Sequence, residues 1–165
     1  MSIDDLPRVF HLGESLFTSE SSPLLYRTWD EYEVTDLFNT DPELCLVAEL
    51  GGAAIGFPMG TTVEKPGTAW KYGYLVWLGV RRKYQGRGIA ARLYREIESR
   101  MIDLGARMII ADTDERNEPA ISFFQEMGFS KARNHVWLSK NLAKKRPREQ
   151  LETTPDLAMA GTESE

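Results

Sequence analysis

The first forty residues carry hydrophobic positions at helical spacing. After Ser2 and two acidic residues, apolar side chains recur every three or four positions, at Leu6, Val9, Phe10, Leu12, Leu16 and Phe17. This spacing predicts an amphipathic helix with an acidic first turn. A second helix is predicted over 29–38, with Thr28 as its N-cap and acidic residues in its first turn, and the sequence NTDP ends it.

The pattern then changes to one typical of strands. LCLVAEL and AAIGFPMGTTVE predict two strands joined by a tight hairpin at Gly51-Gly52, and Pro58 indicates an edge strand or a bulge. After a turn at Lys65-Pro66-Gly67, AWKYGYLVWLGV predicts a long strand rich in aromatic and β-branched residues. These three segments predict an antiparallel meander.

Helical spacing returns after Gly88. Apolar residues at four- and three-residue steps predict one helix face that ends at Gly105: Ile89, Leu93, Ile97, Met101 and Leu104. RMIIADT predicts a short buried strand, and Pro119 begins a helix that Gly128 closes. Ala120, Phe123, Phe124 and Met127 share one face of that helix. FSKARNHVWLSKNL predicts a final strand.

Length and composition indicate one globular domain over 1–142. The 165 residues are 42% hydrophobic and 27% charged, and no apolar run approaches the ~20 residues that span a bilayer. The acidic amino terminus does not resemble a signal peptide, so we expect a cytoplasmic protein without a membrane anchor. Residues 143–165 lack aromatic side chains and carry charges of both signs, which predicts a disordered tail.

Two further counts narrow the chemistry. Cys45 is the only cysteine and lies in an apolar run, so we predict that it is a core residue. The chain has only two histidines besides, and none of these residues has the spacing of metal ligands, so we predict no metal site. A net charge of −5 and a pI near 5.2 argue against nucleic-acid binding.

Positive charge is nevertheless concentrated in one short segment. Six basic residues and no acid lie within 81–95, around Gly86 and Gly88, directly before a predicted helix. Cations at a helix N-terminus are unfavourable unless an anion binds there, and glycines let backbone amides approach a phosphate. GRGIAA also fits the dinucleotide pattern G-x-G-x-x-A, with Asp112 as the ribose-binding acid. Antiparallel hairpins before the loop argue against that nicotinamide-dinucleotide reading, but leave it open.

Two segments carry a resemblance to a known family. Gln85-Gly86-Arg87-Gly88-Ile89-Ala90 fits the pattern Q/R-x-x-G-x-G/A after a predicted strand, and NEPAISFFQEMGF over 117–129 is similar to N-x-x-A-x-x-F-Y-x-x-x-G-F. In this order and separation they resemble the GNAT N-acetyltransferase superfamily. The resemblance implies an α/β (α+β) fold with a mixed, mostly antiparallel twisted sheet flanked by helices, whose fourth and fifth strands splay apart.

The resemblance also implies acetyl-CoA as co-substrate and a set of residues that bind it. Backbone groups of Leu78 and Val80 would bond the pantetheine amides, and Arg81, Arg82 or Lys83 would lie near the adenosine phosphate. The pyrophosphate would be held by the loop amides of Gln85, Gly86, Arg87, Gly88, Ile89 and Ala90. Asn117 and Phe124 would lie along the pantetheine on the other side.

Two residues are candidates for the catalytic base. Asp112 matches the position of a glutamate in the family's N-terminal and ribosomal-protein acetyltransferases, but its shorter side chain would need a bridging water. Tyr74 stands where lysine acetyltransferases carry a glutamate, and a phenol is a poor base at neutral pH. A capping role for Asp112 and a core role for Tyr74 remain alternatives. Phe124 replaces the family's usual tyrosine and cannot protonate the leaving thiolate. Tyr84, Tyr94 or a water takes that role, or the thiolate leaves unassisted.

We therefore expect an acetyl-CoA-dependent N-acetyltransferase that acts on a primary amine. A peptide or protein α-amine is slightly favoured, because it loses its proton more readily than a lysine does. A small-molecule amine (polyamine, amino acid or antibiotic) and a non-catalytic acyl-CoA-binding or sensing module are the alternatives. Pairing through an exposed strand could form a homodimer.

Overall fold

The structure is a computed structural model, and it describes residues 1–18, 28–64, 66–67, 70–130, 133 and 140. The chain divides into two units, Met1–Ala132 and Arg133–Glu165, and nearly all of the second lies outside the described residues. The predicted final strand, the boundary at residue 142 and the predicted disordered tail also lie outside them and stay predictions.

The predicted first helix is confirmed. A single 3-10 turn, Ile3–Asp5, leads into α1, Leu6–Glu14. The Asp5 carboxylate accepts hydrogen bonds from the Ser2 amide and hydroxyl at 2.7 and 2.9 Å, which satisfies groups at the helix start. These bonds, the Ser2 amide first, lower the pKa of Asp5 to about 2. Val9 and Leu12 are the buried face of α1.

The second helix, α2, spans Glu31–Thr40 and corrects one prediction. Its N-cap is Asp30 rather than Thr28, because the Asp30 carboxylate accepts the Glu33 amide at 2.8 Å. Trp29 precedes the helix instead of starting it and is buried, with its indole N–H bonded to the Phe10 carbonyl at 2.9 Å.

Four strands form a mixed sheet in the order β1-β2-β3-β4, namely Ala48–Leu50, Ala53–Glu64, Lys71–Val80 and Ile109–Ala111. The first three are antiparallel and β4 runs parallel to β3. The predicted meander and the predicted mixed, mostly antiparallel sheet are therefore confirmed. The β1–β2 hairpin turns at Gly51 and Gly52, whose φ angles of +57° and +76° suit glycine.

The strand β2 is not an edge, but the predicted irregularity is present as a bulge. Met59 pairs with Trp77 and Gly60 with Leu75, so Val76 is an extra residue in β3. Pro58 is tolerated inside the sheet because its side of the strand faces β1. Its carbonyl accepts the Leu46 amide at 3.1 Å, and no N–H is needed toward β3.

Two helices follow the meander, α3 over Ile89–Asp103 and α4 over Glu118–Glu126, both as predicted. One core cluster joins α1 and α2 to the sheet and contains Cys45, which is buried as predicted. A second cluster joins α3 and α4 to the other face. The predicted burial of β4 is wrong, since Ile110 is 42% exposed. β4 is the edge strand of the described sheet. None of the described helices has the length and apolarity of a membrane span.

Candidate active site

The sheet opens between β3 and β4. Their parallel pairing ends at Leu75 and Ala111, and in the described part of the chain no strand lies beside residues 76–80. Leu78 of β3 pairs with Pro58 of β2, and this pair shares no inter-strand hydrogen bond, because the Pro58 carbonyl accepts the Leu46 amide on the opposite side of β2 and proline has no N–H. The polar backbone groups of Leu78, and of Val80 two residues on, therefore point into the opening.

A cavity of about 450 Å³ adjoins this open edge. It lies between the end of β3, the segment after α1 and the start of the loop that follows β3. Its lining residues are Leu16, Phe17, Leu78, Gly79, Val80, Arg82 and Gln85. The predicted pantetheine-binding backbone thus borders a space that an extended chain fits.

The glycine loop joins β3 to α3 through a 3-10 turn, Arg82–Tyr84. Gly86 and Gly88 have φ angles of +70° and +75°, and an added Cβ at either would meet no neighbour within 4 Å. These glycines are needed for backbone shape rather than for space. Among the described residues, no backbone bond is donated by the amides of 86–90, which leaves them available to an anion.

The cations around this loop fall into two groups. The Arg81 guanidinium donates to the Ala54 carbonyl at 3.1 Å and so is anchored to β2. Lys83 Nζ and Arg87 Cζ lie 4.9 and 5.7 Å from the centroid of the Tyr84 ring, within cation–π range. Tyr84, predicted only as an alternative proton donor, therefore holds two basic side chains beside the free amides.

Gln85 fixes the loop to the strand. Its side-chain Nε2 donates to the Val80 carbonyl at 2.8 Å. One acceptor position of that carbonyl is thereby used, although a carbonyl oxygen accepts two hydrogen bonds. Gln85 accordingly positions the loop relative to the open edge.

The two candidate bases meet. The Tyr74 hydroxyl donates to Asp112 Oδ1 at 2.5 Å, between the neighbouring strands β3 and β4. Although Asp112 is exposed, protein atoms displace part of the water around its carboxyl, and this desolvation raises its pKa. A carboxylate with a raised pKa is a stronger base, and it contacts a hydroxyl that can pass a proton to it.

A second and larger cavity, of about 950 Å³, lies on the α2 side of β3. Tyr74 and Val76 form its β3 wall, and α2 with its N-cap supplies four carboxylates, Asp30, Glu31, Glu33 and Asp36. The other lining residues are Tyr32, Thr35, Leu37, Asn39 and Thr61. No lysine or arginine is among the described residues of this wall. The cavity therefore suits a positively charged ligand.

Other candidates serve the fold in the described structure. The Asn117 side chain caps α4, accepting the Ala120 amide at 3.3 Å and donating to Thr113 at 3.0 Å. Phe124 packs between Phe123 and Phe129, with centroids 5.3 and 5.0 Å away. Neither residue lines the two cavities described above.

Tyr94 is a poor proton donor for a leaving thiolate. Its ring is buried in the core, its hydroxyl donates to Glu98 at 2.8 Å, and burial followed by that bond raises its pKa. Among the described residues, no cluster of His, Cys, Asp or Glu could hold a metal ion.

Sequence reasoning missed two parts of the site. Leu16 and Phe17 continue the apolar stripe of the predicted first helix, although α1 ends at Glu14, and such a stripe predicts core packing rather than a cavity wall. The carboxylates of α2 have the pattern of a solvated helix face. An excess of acids over bases in 30–36 was the one available signal, since that segment contains four acids and no lysine or arginine.

Comparisons with known proteins agree with this arrangement. Residues 9–129 match the family model described as Acetyltransferase (GNAT) family. An acetyltransferase of Yersinia enterocolitica is 31% identical over 120 residues, covering 72% of this chain and 80% of that protein.

Solved structures show the same fold. An aminoglycoside N-acetyltransferase AAC(6')-Iy in complex with CoA superposes with a TM-score of 0.67 at 19% identity, over 86% of this chain and 96% of that one. The NatC complex bound to Gag peptide and CoA gives 0.69 at 19% identity, over 80% of each chain. At this level of identity the likeness establishes the fold.

Proposed function

The chain belongs to the GNAT family of acetyltransferases, and on that premise we propose that it transfers an acetyl group from acetyl-CoA to a primary amine of a polycationic acceptor. The observation that carries this proposal is the acidic cavity of α2, which reaches the Tyr74–Asp112 pair beside the open strand edge. The donor and the acceptor would approach β3 at adjacent stretches, 78–80 and 74–76.

The residues present fit acetyl-CoA. Backbone groups of Leu78 and Val80 would bond the pantetheine arm, and the amides of 86–90 would hold the pyrophosphate at the N-terminus of α3. Lys83 and Arg87, held by Tyr84, and the exposed Arg82 would neutralise its phosphates. The bound thioester supplies an activated acetyl group.

Tyr74 and Asp112 would act together as the base. A Lys-type amine must lose a proton with a pKa near 10.4, which costs roughly 4.6 kcal/mol at pH 7. Tyr74 Oη would accept the amine proton while passing its own proton to Asp112 Oδ1, so the hydroxyl takes the place of the water expected for the short aspartate. The amine nitrogen bonds to the acetyl carbon and the C–S bond breaks. The second proton that the nitrogen must lose to become an amide reaches the departing thiolate through solvent, and Asp112 returns its proton to solvent.

The acceptor class follows from charge and size. The cavity is an open groove of about 950 Å³ along α2, which can admit a small molecule or the end of a peptide. Its four carboxylates favour an acceptor with two or more positive charges, such as a polyamine or an aminosugar. The structural relatives include an enzyme that acts on aminoglycosides, which supports this class. An α-amine of a basic peptide is the second candidate, because it loses its proton at a pKa near 8.

Coenzyme-release kinetics test the proposal. Acetyl-CoA is offered with separate pools of polyamines, aminoglycosides, amino acids, and peptides that are either basic or acidic. We expect thiol release with polycationic amines. The KM for these amines is expected to rise about tenfold in the double variant Glu31→Gln and Asp36→Asn. The matched control Asp103→Asn removes an exposed acid outside both cavities and is expected to leave KM unchanged.

Each negative result selects a different alternative. Heat of acetyl-CoA binding without thiol release from any pool would favour a non-catalytic acyl-CoA-binding module. Binding of a nicotinamide dinucleotide without binding of acetyl-CoA would favour the dinucleotide reading. Equal rates with acidic and basic peptides would remove the role given to the α2 carboxylates. The predicted homodimer stays a prediction.

A further inference from the structure

The segment after α1 forms a fixed wall of the smaller cavity. Leu16 and Phe17 line it opposite the backbone of Leu78 and Val80. The amides of Leu16 and Phe17 both donate to the Gly13 carbonyl, at 2.9 and 2.8 Å. This tight turn sets the position of both side chains relative to the strand.

The Phe17 ring is held in place by three other aromatic rings. Its centroid lies 4.6 Å from that of Trp77, 5.4 Å from Trp29 and 6.2 Å from Phe57, the last in an edge-on arrangement. Trp77 is in turn tied to α2, because its indole N–H donates to Glu33 at 3.2 Å. A ring packed in this way cannot swing aside without losing those contacts.

The reacting thioester must lie next to this wall, an argument that rests on the function proposed above. The pantetheine arm would follow 78–80, and the amine would arrive from the cavity lined by Tyr74 and Val76. The carbonyl carbon then lies between these stretches, beside Trp77. The amine must attack perpendicular to the thioester plane, so the acyl chain lies within that plane and would extend along β3 toward the aromatic wall.

We infer that Phe17 limits the length of the acyl chain that the enzyme accepts. The ring, fixed against Trp77, leaves room for acetyl and excludes acyl chains of four or more carbons. Phe17 is thus a specificity-determining residue for the acyl donor. Its apolar face suits the methyl of an acetyl group and offers no partner for a charged acyl chain.

A comparison of acyl donors in Phe17→Ala tests this inference. Acetyl-, butyryl- and hexanoyl-CoA are compared by kcat/KM with the best amine acceptor, and by calorimetric Kd without one. Each added methylene in apolar surroundings is worth roughly fourfold. We therefore expect the butyryl-to-acetyl ratio to rise at least about tenfold in the variant, while the wild-type protein prefers acetyl-CoA.

The matched control is Phe10→Ala, because Phe10 stacks on Trp29 within the same cluster but lines neither cavity. It loses the same atoms and is expected to keep the wild-type ratio. If Phe17→Ala does not fold, Phe17→Leu is measured instead, and its butyryl-to-acetyl ratio is expected to rise by a smaller factor.

Three results would overturn the inference: a wild-type protein that uses butyryl-CoA as well as acetyl-CoA, an unchanged ratio in both Phe17 variants, or an equal shift in Phe10→Ala. The calorimetric series separates this inference from the proposed function. Binding preferences that move with Phe17 without any turnover would support the acyl-length limit and reject catalysis. Turnover of acetyl-CoA without any preference for acyl-chain length would support catalysis and reject the acyl-length limit.

Discussion

Tyr74 and Asp112 meet because of the register between two parallel strands. Tyr74 pairs with Ile110, so Asp112 is its diagonal neighbour on the same face of the sheet. The sequence identified both residues but treated them as alternatives, because register across a gap of more than thirty residues leaves no local pattern. In the proposed mechanism this contact makes the two residues one proton path.

The first prediction concerns the pH dependence of Asp112→Asn. A base must be ionised, so kcat/KM of the wild type falls as pH decreases through the Asp112 pKa. Because that pKa is raised, the fall begins at a higher pH than for an ordinary aspartate. The variant is expected to lose about a hundredfold in kcat/KM and to lose this acidic limb. Steady-state kinetics from about pH 4 to pH 9 measure both effects.

A double-mutant cycle with Tyr74→Phe checks whether the pair acts as a unit. If Tyr74 carries the proton to Asp112, the double variant should be about as slow as the slower single variant. Losses that multiply would show two independent roles. An acidic limb that persists in Asp112→Asn would assign the base to another group.

At the scale of elements, the sequence predicted most helices and strands because their signals are local. Glycine and proline mark the ends of α3 and α4, and the Gly51-Gly52 hairpin follows from backbone preferences alone. The N-cap of α2 was placed two residues early, since Thr28 and Asp30 are both good caps and only the observed bond to Glu33 chooses between them. The burial of β4 depends on neighbours that its own residues do not encode.

The same locality made the glycine loop predictable but not its supports. The spacing of Gly86 and Gly88 before an apolar helix face is visible in the sequence. The bond from Gln85 to Val80 and the stacking of Lys83 and Arg87 on Tyr84 depend on side-chain positions that no motif records.

The second prediction concerns Gly88→Ala. Alanine at a φ of +75° is strained by roughly 1–2 kcal/mol, and the added methyl has open space, so the cost is one of backbone conformation. Relaxation of that strain should turn the loop amides away from the pyrophosphate and weaken acetyl-CoA binding about tenfold. Isothermal calorimetry measures the affinity.

Gly52→Ala is the control for this substitution. Gly52 has a φ of +76° with open space around an added Cβ, and it lies in the β1–β2 hairpin outside both cavities. The two variants should lose similar stability in urea unfolding, whereas only Gly88→Ala should lose affinity. Equal affinities in the two variants would separate the loop conformation from coenzyme binding.

At the scale of the molecule, charge is divided rather than uniform. A chain of net charge −5 presents six basic residues over 81–95 and four carboxylates around the α2 cavity. The basic segment stands out in an acidic sequence, whereas the four acids of 30–36 are a weak signal because acids are common throughout the sequence. The two surfaces match the polyanionic donor and the polycationic acceptor of the proposed function, which would meet at one strand.

The third prediction is that salt weakens the binding of both substrates while leaving the chemical step unchanged. The screening length falls from about 10 Å at 0.1 M salt to about 3 Å at 1 M, so attraction across exposed charges is lost first. Raising NaCl from about 0.05 to about 0.5 M should raise KM for acetyl-CoA and for a polyamine several-fold, with kcat nearly constant. A monoamine acceptor carries a single charge and should show a smaller rise in KM. A polyamine KM that does not respond to salt, measured beside a sucrose control, would mean that the α2 carboxylates do not hold the acceptor.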